Sequence, residues 1–122
     1  LYRQKWITKL GSNLAKAQKF GHIEMKSSID ALSRCAGAMR RNKVDRYFAA
    51  ATQGFREARN ALEFIEEVRR RTGIKLTVID AGTEARLTCE GIRDALGDTV
   101  AKNSVMVDIG GGSTEIMRSG SR

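Results

Sequence analysis

Along these 122 residues the apolar side chains switch repeatedly between the two-residue period of a strand and the 3.6-residue period of a helix. That alternation restricts the chain to an α/β fold. Trp6-Ile7-Thr8-Lys9-Leu10 alternates as a short, half-exposed strand that ends at Gly11. From about Glu24 to Asn42, Ile29, Leu32, Cys35, Ala36 and Met39 recur on one helical face, and Arg40, Arg41 and Lys43 complement the negative end of the helix dipole. Tyr47-Phe48-Ala49-Ala50-Ala51-Thr52 reads as a buried strand that Gly54 breaks. A second helix is expected with Phe55, Ala58, Leu62, Ile65 and Val68 on its buried face, stopping at Thr72-Gly73, where glycine takes the left-handed conformation. Lys75 to Ile79 reads as a strand, Glu84 to Leu96 as a third helix, and Ser104 to Ile109 as another buried strand. Strands alternating with helices imply a largely parallel sheet with crossover helices.

Charge and cysteine usage narrow the function classes. The net charge is +8, and it is unevenly placed: residues 1–60 carry 13 basic and 4 acidic side chains, residues 61–122 carry 9 and 10. A basic first half favours a polyanionic partner. A basic nucleic-acid binder ranks last among the functional readings, because Tyr2, Trp6 and Tyr47 form no aromatic and basic array. No apolar run approaches the roughly 18 residues of a membrane span, and Leu1 to Trp6 lack a hydrophobic signal core, so a cytoplasmic protein without a membrane partner is expected. Cys35 and Cys89 have no CxxC or histidine neighbours at metal-ligand spacing and are expected as buried free thiols in a reducing compartment. The chain opens on Leu1 and stops at Arg122, soon after its most conspicuous motif, and is expected to be a fragment.

That motif is Asp108-Ile109-Gly110-Gly111-Gly112-Ser113-Thr114-Glu115. A carboxylate ends a strand, and three glycines let backbone N–H groups approach an anion that any Cβ would obstruct. Ser113 and Thr114 add hydroxyl donors. No lysine follows the glycines, which excludes a Walker A loop, and Thr114 to Arg118 read as a returning strand, which excludes a dinucleotide fingerprint. The unit is therefore strand, phosphate-cradling turn, strand. Asp108 and Glu115 are the hard oxygen ligands that Mg²⁺ takes together with water and substrate phosphates, and a metal ion would relieve their repulsion of a phosphate. Glu84, at a helix start after a Gly82 turn, is either a simple helix-start carboxylate or a third functional acid.

Three segments in fixed order, Ala51-Thr52-Gln53-Gly54-Phe55-Arg56-Glu57-Ala58-Arg59-Asn60, Thr72-Gly73-Ile74 through Glu84-Ala85-Arg86-Leu87 to Gly91, and Asp108 to Glu115, resemble the exopolyphosphatase/guanosine pentaphosphate phosphohydrolase (Ppx/GppA) family. The glycine loop alone is shared with the wider superfamily of sugar kinases, heat-shock chaperones and actin. The resemblance implies a ribonuclease H-like (actin-like ATPase) fold with a mixed sheet, in two domains flanking a cleft. Residues 1–81 would be part of the first domain, and 82–122 the linking helix and first phosphate-loop hairpin of the second. It also implies Mg²⁺-dependent release of terminal phosphate from inorganic polyphosphate or guanosine pentaphosphate, and a homodimer. By the same likeness Glu84 is the general base on the attacking water, Asp108 and Glu115 hold the metal ion, and Gly110, Gly111, Gly112, Ser113 and Thr114 bind phosphate. Thr52, Arg56 and Asn60 lie near the cleft.

The chain departs from the family pattern at named places. Ala81-Gly82-Thr83-Glu84-Ala85 stands for Gly-x-Glu-Glu-Ala, keeping the glutamate assigned as base, and Gln53 and Gly54 replace the common serine and alanine. The family's first phosphate loop, Asp-x-Gly-Ser-Asn, has no counterpart; Gly11-Ser12-Asn13 copies its tail without the aspartate. Phosphoryl transfer is mainly positioning and charge neutralisation, so backbone N–H groups, a metal ion and a base suffice, and the basic half is suited to tracking a long polyphosphate. The alternative expectation is a catalytically silent nucleotide- or polyphosphate-binding module. A lone hairpin at residues 104–118 is expected to leave apolar surface uncovered.

Overall fold

The computed structural model describes residues 3–97, 104–110 and 114–118. The elements run α1 (Leu14–Ala17), α2 (His22–Arg41), β1 (Ala50–Ala51), α3 (Gln53–Glu57), α4 (Ala61–Thr72), β2 (Thr77–Val78), α5 (Ala81–Leu96), β3 (Val105–Ile109) and β4 (Thr114–Arg118). The chain divides into two compact units, Leu1–Val78 and Ile79–Arg122.

In the first unit, β1 and β2 pair in parallel, Ala50 with Thr77 and Ala51 with Val78, across a connection formed by α3 and α4. Parallel strands need such a crossover, because no tight turn returns the chain in the same direction. The core is one cluster of Phe20, Ile29, Ala36, Ala58, Ala61, Phe64, Val68 and Ile74. Phe20, Phe55 and Phe64 form an aromatic triangle with ring centroids 4.9 to 5.7 Å apart, in the tilted and edge-on arrangements that ring quadrupoles favour.

The expected second helix is divided in two. Ala58 is extended (φ −74°, ψ 125°), and the segment after it is tied to the chain before α2. The Arg59 N–H donates to the Gln18 carbonyl at 2.9 Å, while Asn60 Oδ1 accepts the Phe20 N–H at 2.8 Å and Asn60 Nδ2 donates to the Phe20 carbonyl at 3.1 Å. Downstream of the break Val68 is buried as expected, but the expected position of Leu62 is overturned. Ala61, Phe64 (1% exposed) and Val68 (0%) face inward, whereas Leu62, expected in the core, is 77% exposed. The helix ends as expected at Gly73, left-handed at φ 76°, whose N–H bonds to the Arg69 carbonyl.

Three further expectations are corrected. Trp6 to Leu10 form no strand, because alternation supplies a face but not a hydrogen-bonding partner, and none pairs with this segment among the described residues. The strands expected over residues 47–52 and 75–79 shrink to two residues each, and Tyr47 instead accepts the Lys75 N–H on its hydroxyl at 3.0 Å. The described pairing is not largely parallel: β1 and β2 are parallel, β3 and β4 antiparallel.

In the second unit, α5 is amphipathic and begins at Ala81, three residues before the expected start. β3 is not buried throughout. Met106 is buried, but Val105, Val107 and Ile109 on the opposite face are exposed, as is Ile116 of β4, so one face of the hairpin is uncovered apolar surface, as expected of a lone hairpin. Cys35 and Cys89 are both free, and half-buried rather than fully buried. Among the described residues no helix is long and apolar enough to cross a membrane.

Candidate active site

Asp80 opens α5 as its N-cap. Its Oδ1 accepts the Thr83 N–H at 2.8 Å and its Oδ2 accepts the Thr83 hydroxyl at 2.9 Å, which anchors the first turn. These donors, the Thr83 N–H foremost, hold the Asp80 carboxyl below the ordinary aspartate range. Glu84 follows in the first turn, half-buried, its N–H bonded to the Asp80 carbonyl at 3.0 Å. A carboxylate here is favoured by the positive end of the helix dipole.

β3 and β4 pair antiparallel with Asp108 opposite Glu115 and Met106 opposite Met117. Strand alternation places these four on one face, with the two methionines buried and the two carboxylates half-buried beyond them. Helix α5 packs over that face: Cys89 Sγ lies 3.8 Å from Met106 Sδ, and Thr88 Oγ1 donates to Asp108 Oδ2 at 3.4 Å. Glu84 and Thr88 are four residues apart and so share one side of the helix.

Like charges directly opposite on a sheet face are destabilising, and a divalent cation between them would reverse the sign of that interaction. Among the described residues no three of His, Cys, Asp and Glu gather as a metal-holding cluster, and the carboxylates that face each other on the hairpin are Asp108 and Glu115. Two carboxylates fit Mg²⁺, which keeps several waters and takes its remaining ligands from substrate phosphates.

The remaining expected residues are placed as follows. Gly110 follows β3 and is exposed, while Thr114 opens β4 opposite Ile109, also exposed. Gly111, Gly112 and Ser113 lie outside the described residues. In the first unit, Thr52 occupies the N-cap position of α3 without a side-chain capping bond, and Arg56 is exposed in the last turn of α3. Asn60 spends both ends of its amide on the Phe20 backbone, which makes it a structural strap. Glu84, Asp108 and Glu115 thus share the second unit, and Thr52, Arg56 and Asn60 the first. A surface groove between α2 and α4, lined by His22, Met25, Ile29, Glu63, Glu67 and Arg71, carries mixed charge and none of the expected residues.

Two residues escaped the reading of the sequence. Asp80 carries a local signal, an acceptor side chain three residues before Thr83 at a helix start. Thr88 carries none beyond its spacing from Glu84, since only packing brings its hydroxyl to Asp108.

Residues 1–121 match the model of the Ppx/GppA phosphatase family. The chain is 31% identical over 101 residues to exopolyphosphatase 1 of Mycobacterium tuberculosis, covering 83% of this chain and 28% of that relative. It is 28% identical over 109 residues to guanosine-5'-triphosphate,3'-diphosphate pyrophosphatase of Aliivibrio fischeri, covering 89% and 22%. The crystal structure of an exopolyphosphatase from Cytophaga hutchinsonii superposes with a TM-score of 0.91 at 25% identity, over 98% of this chain and 38% of that one. The chain therefore spans less than two fifths of the length of each of these relatives. The α/β architecture, with its small mixed sheets, is the actin-like ATPase fold of those structures. With a family match over nearly its whole length and a fold shared with a solved exopolyphosphatase, the chain belongs to the Ppx/GppA phosphatase family.

Proposed function

We propose that this chain carries catalytic residues of a phosphoanhydride hydrolase that releases terminal phosphate from inorganic polyphosphate, with guanosine pentaphosphate as a second substrate. The observation that carries this reading is the pairing of Asp108 with Glu115 on one hairpin face, beneath the helix that bears Glu84. The names of the relatives supply the substrate classes: one is an exopolyphosphatase and one a guanosine pentaphosphate hydrolase.

In this reading Asp108 and Glu115 hold Mg²⁺, which supplies charge neutralisation for the phosphate oxygens. Glu84 accepts the proton of the attacking water at its carboxylate. Gly110 to Thr114 present backbone N–H and hydroxyl groups to the phosphate. The lysines and arginines of residues 1–60 steer the polyanion, an attraction that weakens with salt. The free thiols Cys35 and Cys89 suit a cytoplasmic setting.

Glu84→Gln in the full-length protein tests the assignment. Phosphate release from polyphosphate with Mg²⁺ should fall by about 10² to 10⁴ while polyphosphate binding is retained. Undiminished release from that variant overturns the role of Glu84. A wild-type protein that binds polyphosphate without releasing phosphate overturns the hydrolase reading in favour of a binding module.

A further inference from the structure

We propose that Thr88 is a positioning residue for Asp108. Its hydroxyl aims one carboxylate oxygen and sets the register between the metal-holding strand and the helix that carries Glu84. The inference rests on reading Asp108 as a metal ligand and adds to it a residue outside the ligand set.

Two adjacent helix residues make the case. Thr88 Oγ1 donates to Asp108 Oδ2 at 3.4 Å, and Cys89 Sγ lies 3.8 Å from Met106 Sδ, two residues earlier on the same face of β3. The first bond is long for a hydroxyl donor. The second contact fixes the same register independently, because a shift of β3 by one residue would turn Met106 and Asp108 to the opposite face. Glu84, one turn before Thr88 and about 6 Å along the axis, lies on the same side of α5 as Thr88.

Thr88 is also the chemically suitable residue at this point. Asp108 and Glu115 face each other across the strands, and an ionised carboxylate accepts hydrogen bonds but donates none. A hydroxyl donor on one oxygen restricts carboxylate rotation and leaves the other oxygen's lone pairs for a cation. Carboxylates that ligate metals are held in this way by donors outside the ligand set, and loss of such a donor costs about 10 to 100-fold in metal affinity.

The test is Mn²⁺ titration of the full-length protein, followed by electron paramagnetic resonance in the absence of substrate, for Thr88→Val, Thr88→Ser and Asp108→Asn. Valine keeps the shape and removes the donor, whereas serine keeps the donor. The expected result is an affinity at least about tenfold weaker in Thr88→Val, restored to within about threefold of wild type in Thr88→Ser. Wild-type affinity in Thr88→Val alongside weakened binding in Asp108→Asn overturns the role of Thr88 while leaving Asp108 a ligand. Equal weakening in the valine and serine variants also overturns it, since the effect is then packing. Wild-type affinity in Asp108→Asn removes the reading on which the inference rests, and the inference with it.

Discussion

Replacing Asn60 by alanine removes the strap that breaks the helix between α3 and α4. Asn60 Oδ1 accepts the Phe20 N–H at 2.8 Å and Nδ2 donates to the Phe20 carbonyl at 3.1 Å, and Phe20 itself is only 3% exposed. A typical intramolecular hydrogen bond contributes about 0.5–1.5 kcal/mol net, and a buried group left without a partner costs about 1–3 kcal/mol. Two lost bonds, with the Phe20 amide stranded beside its aromatic neighbours, therefore sum to roughly 2–4 kcal/mol. With a urea slope of about 2 kcal/mol/M, the midpoint of the first unit should fall by roughly 1–2 M. Urea unfolding followed by circular dichroism measures the loss, and amide hydrogen exchange at Phe20 locates it. A midpoint within about 0.3 M of wild type, or unchanged protection of the Phe20 amide, refutes the argument that the amide of Asn60 holds this junction together.

The corrected phase of α4 predicts a contrast between neighbours. Phe64→Ala, at a site 1% exposed, should cost about 3–5 kcal/mol in urea unfolding, whereas Leu62→Ala, at one 77% exposed, should stay within about 0.5 kcal/mol; comparable losses would restore the uninterrupted helix. The Asp80 cap predicts a pH dependence. Its carboxyl titrates below the ordinary aspartate value, so its contribution is complete above that value and is lost as pH falls through the lowered one. Asp80→Asn keeps a capping acceptor but does not titrate, so its stability should fall less steeply on acidification; parallel acid limbs in urea midpoints at a series of pH values would count against the cap.

The long helices α2 and α5 and the hairpin strands β3 and β4 were legible, in order, because the period of apolar residues is a local property. The glycine at the end of α4 was legible too, since a left-handed C-terminal residue is a backbone requirement that glycine meets without a Cβ. The return strand Thr114–Arg118 was legible after the three glycines, whereas the register that sets Asp108 opposite Glu115 came from the structure. Strand lengths were not legible. Tyr47, Phe48 and Lys75 have strand-like neighbours, yet a strand extends only as far as a partner offers hydrogen bonds, and β1 and β2 match for two residues.

By itself, then, the sequence determined the alternation of helix and strand, the glycine-bounded ends, the asymmetry of charge, and a hairpin bearing Asp108 and Glu115. Each is set by residues near one another in the chain. The tertiary structure alone decided that α3 and α4 are separate helices, that Leu62 faces water while Phe64 is buried, that Asn60 serves the fold, and that Thr88 reaches Asp108. Those outcomes depend on partners 20 to 40 positions away in sequence, such as Phe20 for Asn60 and Asp108 for Thr88. Local periodicity carries no record of which distant backbone group will claim an amide or a hydroxyl; only the packed chain assigns them.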